Sequence, residues 1–293
     1  MKNLIIRTIT GIAFVALIVA AVLVSEWFLF LVFLIFACLG MYEYRTLLQK
    51  NSIKLSIAFH IVGLCIYFIF SRIGKVLLCD TIFLQSFCFG ETQFMLVLAL
   101  LFILFIVGLF SKQEQPFLAI AYSILGILWI VLPFALINHW SAPFPYELRL
   151  NEQFLLLSVF IFIWMYDTFA YCVGMLIGKH RLFERISPKK SWEGAIGSAI
   201  LTSTAAYFAN LLFPALPLSK IQWIGFALVI IVFGTLGDLV ESLFKRQLSV
   251  KDSGTILPGH GGILDRFDSF LFAFPFVLLY LEILRSHYSI FHT

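Results

Sequence analysis

The sequence predicts an all-α protein that crosses a membrane several times. Its 293 residues are 61% hydrophobic and only 12% charged, and the mean hydropathy is +1.01. Soluble globular domains do not reach so large an apolar fraction. A bilayer core of about 30 Å is crossed by roughly 20 apolar residues in a helix. Runs of that kind recur along the chain, and the alternating pattern of a membrane β-barrel is absent from the sequence, so the spans are predicted to be helices.

The apolar runs predict about nine transmembrane helices in one polytopic bundle. Prolines punctuate several of their ends, and the first run is expected to be an uncleaved helix rather than a signal peptide. The weakly apolar stretch 73–91 is predicted to be a loop. We expect an N-terminal region, 1–150, with no assigned chemistry, and a catalytic region, 151–293. The predicted spans are 5–24, 27–46, 55–72, 94–111, 117–138, 154–177, 192–213, 222–243 and 267–285.

The charge balance and the cysteines exclude some functions. The net charge of +4 comes without a basic tail or interleaved aromatic residues, so no nucleic-acid partner is expected. The five cysteines have no metal-binding spacing such as CxxC. Cys79 and Cys88 share one predicted loop, and whether they pair stays open.

The positions of lysine and arginine predict the orientation in the membrane. With nine spans, 15 of the 20 cations fall on the side of the N-terminus. Because cytoplasmic loops carry the excess of lysine and arginine, the N-terminus and the loops 178–191 and 244–266 are expected in the cytoplasm. The C-terminus is then expected outside. We expect a multi-pass protein of the cell (inner) membrane, with an organelle membrane as the alternative.

Three carboxylates lie within the predicted spans. Asp167 is in the sixth, and Asp238 and Glu241 are near the cytoplasmic end of the eighth. A charge at a bilayer centre costs about 3 kcal/mol, so such residues are functional candidates by default. An ion pair with Lys245, one turn along, is the alternative for Glu241. Asp238 lies one turn from Ser242 and has no such cation, which favours a metal or a cation from another helix. For Asp167, the alternative is a structural hydrogen bond.

The segment 242–268 concentrates charges and glycines directly before the last span. In its run PGHGG, glycines let the backbone turn and point successive N–H groups at an anion, and the next helix adds positive potential at its N-terminus. Asp265 and Asp268 are three residues apart on that helix, and carboxylates beside a phosphate are ligands that Mg²⁺ prefers. The simpler alternative is that acids favour a helix start. Two acids, with Asp238 on the preceding helix, favour a site for metal and phosphate.

The loop 178–191 is strongly basic, with five lysines and arginines. Its Ser187-Pro188 pair predicts the start of the next helix. The loop is expected to clamp a polyanionic substrate, and the alternative is an anchor to anionic lipid headgroups. The G-x-x-x-G-K sequence at 174–179 does not have P-loop spacing, so an ATPase is not predicted.

The segment 242–268 resembles the signature of the phosphatidate cytidylyltransferases. That signature comprises Ser-x-apolar-Lys-Arg, Lys-Asp-x-small, apolar-Pro/Gly-x-His-Gly-Gly and apolar-x-Asp-Arg-apolar-Asp. The region upstream is similar as well, through Asp167 and the run 187–194, whereas residues 1–150 match in hydropathy only. Every fixed signature position is filled, by Ser242, Lys245, Arg246, Lys251, Asp252, Gly254, Pro258, His260, Gly261, Gly262, Asp265, Arg266 and Asp268.

The resemblance implies a reaction in phospholipid biosynthesis, in which CTP and phosphatidate form CDP-diacylglycerol and pyrophosphate. It also implies Mg²⁺, a homodimer and a cytoplasm-facing polar cavity formed by the C-terminal half. Both substrates are anions, and a phosphate monoester is largely dianionic at neutral pH. Positioning and charge neutralisation therefore suffice, with no protein nucleophile. Whether a second metal or a monovalent cation also binds stays open.

The resemblance assigns metal to Asp238 and Asp265, and Asp268 is expected to complete or orient the metal shell. His260 is expected to donate to a phosphate oxygen, with packing inside its turn as the alternative. Four cations are expected to neutralise the triphosphate and the departing pyrophosphate. They are Lys245, Arg246, Lys251 and Arg266. The expected substrate-binding residues are Asp167, Lys179, Ser187, Lys189, Lys190, Glu241, Ser242, Asp252, His260, Gly261 and Gly262.

Three other classes of protein are disfavoured by the sequence. A phosphotransferase that consumes CDP-diacylglycerol would contain Asp-Gly, two residues and Ala-Arg, a string that this sequence lacks. An ion-coupled transporter would have symmetric helix breaks and acids near span centres. Here the acids gather at one end of the spans, and no comparable acid is expected in the first half. A structural scaffold would leave the polar segment unexplained.

Overall fold

The structure is a computed structural model that describes residues 2–71, 89–139, 149–212, 216 and 218–291. Within these residues nearly every element is a helix, which confirms the predicted all-α membrane class. Cys79, Cys88 and most of the expected loop 73–91 lie outside the described residues. Residues 89–91 belong to a helix, so the end of that predicted loop was wrong.

The chain divides into two compact units. The first contains Met1–Trp140 together with Asp252–Arg266, and the second contains Ser141–Lys251 together with Phe267–Thr293. The glycine-rich part of the polar segment is therefore grouped with the N-terminal helices.

The first unit is built from helices whose boundaries follow local signals. Ser25 caps the second helix, because its Oγ accepts the N–H of Phe28 at 3.1 Å. A short π-helical turn precedes Pro133, which has no N–H to donate to the carbonyl four residues earlier. The elements are α1 (Lys2–Val24), α2 (Glu26–Lys50), α3 (Ile57–Ile69), α4 (Phe89–Leu109), α5 (Pro116–Gly126), the π turn Ile127–Val131 and α6 (Leu132–His139).

Large aromatic side chains fill the interior of the first unit. Phe33, Phe59 and Phe134 are fully buried there. Tyr44 and Tyr67 are also buried, and their hydroxyls donate to the main-chain oxygens of Tyr122 and Phe30 at 3.0 and 2.9 Å. Each buried hydroxyl is thereby satisfied, as a tightly packed apolar interior requires.

The second unit contains the remaining elements. Ser219 and Gln222 form a reciprocal capping box at the start of helix α10 (Lys220–Gln247). The elements are α7 (Arg149–Ile177), β1 (Arg181–Phe183), β2 (Ser187–Ser191), α8 (Trp192–Tyr207), α9 (Ala209–Leu212), α10 (Lys220–Gln247) and α11 (Leu264–Phe291), whose first three residues belong to the first unit.

The basic loop 178–191 is a β-hairpin, which the sequence did not predict. Strands β1 and β2 pair antiparallel, with Arg181 opposite Ser191 and Phe183 opposite Ser187. The prediction that Ser187-Pro188 starts a helix was wrong, because Pro188 lies in an edge strand, where its missing N–H is tolerated. Helix α8 begins at Trp192 instead, after Ser191, whose Oγ accepts the N–H of Gly194 at 3.2 Å.

Aromatic stacking and one close approach of helices hold the second unit together. Phe160 stacks on Phe270 with ring centroids 4.7 Å apart. At Gly237 of α10, a Cβ would lie 2.5 Å from the Cβ of Phe272 and 2.7 Å from the carbonyl oxygen of Asp268. Glycine at this position therefore lets α10 pack directly on α11, beside Asp238 and Asp268.

The described helices support several membrane crossings. Six are long and apolar enough to span a bilayer, whereas α3 and the apolar part of α4 are shorter. The predicted total of nine spans stays a prediction. The six helical stretches are Ile6–Val24, Glu26–Lys50, Pro116–Asn138, Gln153–Ile177, Lys220–Gln247 and Leu264–Arg285.

Candidate active site

In the second unit, Lys190 of strand β2 lies among three carboxylates. Its Nζ forms an ion pair with Oδ2 of Asp238, and Asp268 and Asp167 attract it as well. Burial lowers the pKa of Lys190, but attraction to Asp238, and then to Asp268 and Asp167, outweighs burial and raises the pKa above its ordinary value. The ammonium group therefore stays charged. The cation expected for Asp238 comes from a strand rather than from another helix.

The C-terminal part of α10 carries two polar pairs, both at the spacing that the sequence predicted. Ser242 Oγ donates to Oδ1 of Asp238 at 3.2 Å. Lys245 Nζ lies 3.0 Å from Oε1 of Glu241, whose side chain is only 2% exposed. The ion pair considered as the alternative for Glu241 is therefore formed. It compensates a buried charge that would otherwise be costly.

Small residues bring the base of the hairpin against two helices. Gly178 donates its N–H to the carbonyl of Gly174 at 3.0 Å. A Cβ at Gly194 would lie 3.0 Å from Ser191 Oγ and 3.2 Å from the Cα of Gly174. This packing fixes the point where the chain leaves α7 and enters the hairpin. The exposed Lys179 follows Gly178 directly.

In the first unit, Asp265 organises the glycine-rich loop. Its Oδ2 accepts the N–H of Ser253 at 2.8 Å, the hydroxyl of Ser253 at 3.0 Å and the N–H of Gly262 at 2.8 Å. Gly259 and Gly261 have φ of 77° and 84°, in the left-handed region that favours glycine. The predicted sharp turn is therefore present. The N–H of His260 donates to the carbonyl of Leu257 at 2.9 Å, so this N–H and that of Gly262 both donate within the protein.

The same loop binds Glu43 of α2, a residue that the sequence analysis missed. Glu43 is 2% exposed. Its Oε1 accepts the N–H of Ile263 at 2.9 Å, and its Oε2 accepts the N–H of Leu264 at 3.1 Å and the hydroxyl of Ser253 at 3.1 Å. The expectation that the first half has no comparable acid was wrong. A signal was available, because Glu43 lies within a predicted apolar span, as Asp167 does.

His260 packs against helix α1. Its Nδ1 lies 2.7 Å from Thr10 Oγ1, and Arg266 Nε donates to its carbonyl oxygen at 3.0 Å. Burial, and then repulsion from Arg266 and Arg7, lowers the pKa of His260 below its ordinary value. A neutral ring in contact with Thr10 matches the packing alternative, and donation to a phosphate oxygen stays a prediction.

The other predicted site residues lie at the surface of their units. Arg246 Nη1 lies 3.5 Å from the carbonyl of Val250, and Ser187 is half-buried on β2. The exposed lysines and arginines are available to a polyanionic ligand, whereas the carboxylate of Asp252 would repel one. The exposed residues are Lys179, Lys189, Arg246, Lys251, Asp252 and Arg266.

The donor set around Lys190 fits a magnesium ion that also contacts substrate. Among the described residues, no three His, Cys, Asp or Glu side chains converge as a complete metal cluster. Mg²⁺ seldom needs one, because it keeps several waters and takes one or two carboxylates together with substrate phosphates. Asp238 and Asp268 both face the ammonium of Lys190. Carboxylate oxygens, which are ligands that Mg²⁺ prefers, therefore lie around a positively charged group there.

The second unit therefore combines helices of membrane-spanning length with paired lysines and carboxylates, which define a membrane protein with a charged site. The chain belongs to the cytidylyltransferase family, whose sequence model matches residues 5–284. The resemblance seen in segment 242–268 is thereby confirmed.

The curated relatives of this chain include bacterial phosphatidate cytidylyltransferases. The protein of that name from Staphylococcus aureus (strain COL) is 40% identical over 185 residues, which cover 63% of this chain and 68% of that protein. A second, from Staphylococcus saprophyticus, is 37% identical over 192 residues, which cover 66% of this chain and 70% of that protein. A third, from Staphylococcus haemolyticus, is 38% identical over 192 residues.

Proposed function

We propose that this protein is a phosphatidate cytidylyltransferase, which converts CTP and phosphatidate to CDP-diacylglycerol and pyrophosphate in phospholipid biosynthesis. The observation that carries the proposal is the group formed by Lys190, Asp238, Asp268 and Asp167, four residues at positions that match the family's motifs. Family membership and the names of the relatives support the same reaction.

Asp238 and Asp268 are the acids that we propose to hold Mg²⁺ in the second unit, with Asp265 as the other acid that the resemblance assigns to metal. When bound, the ion supplies positive charge at the phosphate oxygens of the substrates. Ser242 orients the Asp238 carboxylate through its hydrogen bond. The positive charge of Lys190 offsets the negative charge of the neighbouring acids. Its ammonium group is close enough to them to contact a phosphate that binds there.

The remaining cations are proposed to position the anionic substrates. Bringing a phosphate monoester to the α-phosphorus of CTP is opposed by charge repulsion, which lysine and arginine side chains reduce. The lipid phosphate is already largely dianionic at neutral pH, so it attacks without a general base. Lys179 and Lys189 are proposed to bind a substrate phosphate. Four further cations are proposed to neutralise the triphosphate and the departing pyrophosphate, namely Lys245, Arg246, Lys251 and Arg266.

The surroundings of the site are also part of the proposal. The distribution of lysine and arginine supports a cytoplasmic position for the N-terminus and for the loops 178–191 and 244–266, on the side where CTP is present. Nine spans, which the apolar runs predict, are a further feature of the proposal. A polar cavity open to the cytoplasm and a homodimer are the features that the family resemblance implies.

The activity is tested with purified protein in detergent, phosphatidate, MgCl₂ and labelled CTP. The wild type is expected to form a CDP-lipid and pyrophosphate. Asp265→Asn is expected to abolish product formation. Its melting temperature is expected to stay within a few degrees of the wild-type value, because the amide oxygen can accept the three hydrogen bonds that Oδ2 accepts. Full activity of Asp265→Asn would remove Asp265 from the metal site.

A further inference from the structure

Glu43 is a buried carboxylate that lies outside the motifs from which the sequence analysis assigned site residues. An isolated buried carboxylate is unfavourable, and this one is stabilised by the polar segment. Two of its three hydrogen bonds come from the N–H groups of Ile263 and Leu264. These residues begin helix α11, whose first N–H groups have no acceptor within the helix, and the positive end of the helix dipole favours the negative charge.

A single hydroxyl connects Glu43 to Asp265. Ser253 Oγ lies 3.1 Å from Oε2 of Glu43 and 3.0 Å from Oδ2 of Asp265. Asp265 also accepts the N–H groups of Ser253 and Gly262. The two acids therefore share one hydrogen-bond network with the loop, and the orientation of Asp265 depends on the loop that Glu43 holds.

Two glycines of the signature leave space for the Glu43 side chain. A Cβ at Gly254 would overlap Oε1 of Glu43. A Cβ at Gly262 would lie 2.5 Å from Oε2 of Glu43 and would overlap Ser253 Oγ. Neither glycine has a positive φ, unlike Gly259 and Gly261. Space for a carboxylate, rather than backbone conformation, accounts for glycine at these two positions.

We propose that Glu43 is a positioning residue for the cytidylyltransferase reaction, which holds the loop 253–264 so that Asp265 is presented in its active orientation. This role rests on the proposed function. Both Glu43 oxygens are acceptors, each for one main-chain N–H, and the single hydroxyl proton of Ser253 is shared between Glu43 and Asp265. Glutamine has the same shape but a single acceptor oxygen, so in Glu43→Gln the amide NH₂ must face at least one donor of the loop.

The test compares Glu43→Gln with Glu26→Gln, an exposed carboxylate on the same helix α2. The kcat, the KM for CTP and the MgCl₂ concentration for half-maximal activity are measured on full-length protein. Glu43→Gln is expected to lower kcat about tenfold or more and to raise the MgCl₂ requirement, because a loop that moves to satisfy its buried donor also moves Asp265 out of its active orientation. Glu26→Gln is expected to match the wild type. Limited trypsin digestion is expected to cleave Glu43→Gln faster after Lys251, with unchanged cleavage after the exposed Lys112.

A second variant decides the case in which Glu43→Gln does not fold. Ser253→Ala removes only the hydroxyl between the two acids, and it is expected to lower kcat and raise the MgCl₂ requirement in the same direction. If the wild type is active and either variant folds with wild-type kinetics, the role of Glu43 is refuted while the proposed function stands. An inactive wild type would refute the proposed function, and this role with it.

Discussion

Replacing Lys190 with methionine removes the ammonium group that lies among three carboxylates and keeps most of the unbranched side chain. Breaking a fully buried ion pair costs about 3–5 kcal/mol, whereas an exposed pair is worth about 0–1 kcal/mol. Lys190 and Asp238 are 31% and 25% exposed, which places the pair between these limits, at about 2 kcal/mol. The expected decrease in melting temperature is about 4–8 °C for a unit of this size.

The assay is thermal unfolding in detergent, without and with MgCl₂. Lys190→Met is expected to melt below the wild type in the absence of MgCl₂. Added MgCl₂ is expected to stabilise Lys190→Met more than the wild type, because no ammonium then competes for Asp238 and Asp268. Lys189→Met is the matched control, since Lys189 is the exposed neighbour on the same strand. Equal melting temperatures for all three proteins, with no response to MgCl₂, would refute both the ion pair and the metal site.

Two further predictions concern the glycine-rich loop. Gly262→Ala is expected to lose about 1–3 kcal/mol of unfolding free energy through overpacking against Glu43 and Ser253. Gly174→Ala is expected to lose less, because its Cβ would lie 3.3 Å from Ser191 Oγ. Equal losses of unfolding free energy in chemical denaturation would contradict the packing at Gly262. For His260, burial and then Arg266 depress the pKa in the folded protein, so its contribution to stability is present above the unfolded pKa near 6.5 and is lost as the pH falls towards the folded pKa. The melting temperature of the wild type is therefore expected to fall more between pH 7 and pH 5 than that of His260→Gln, and parallel pH curves would contradict this.

Local patterns predicted most of the helices and the pairs within one helix. Apolar runs of about 20 residues predicted helices, and six of those described are long and apolar enough to cross a membrane. One-turn spacing identified the pairs Asp238–Ser242 and Glu241–Lys245. The turns at Gly259 and Gly261 were also predictable, because few residues other than glycine adopt a positive φ.

Contacts between distant parts of the chain were not predictable in the same way. In the sequence, Lys190 is one of several cations in a basic loop, and pairing of β1 with β2 brings it to Asp238. Glu43 lies more than 200 residues before the loop that it binds, and no periodicity relates the two. The strand at Ser187 followed from pairing with β1, which overrode the local helix-start signal of Ser187-Pro188.

The position of the label in the products tests the proposed reaction most directly. Purified protein is incubated with phosphatidate, MgCl₂ and CTP labelled at either the α- or the γ-phosphorus. The proposed attack on the α-phosphorus predicts that the α-label enters the lipid and the γ-label leaves in pyrophosphate. A γ-label in the lipid, or no labelled lipid from either substrate, would contradict the assignment as a phosphatidate cytidylyltransferase.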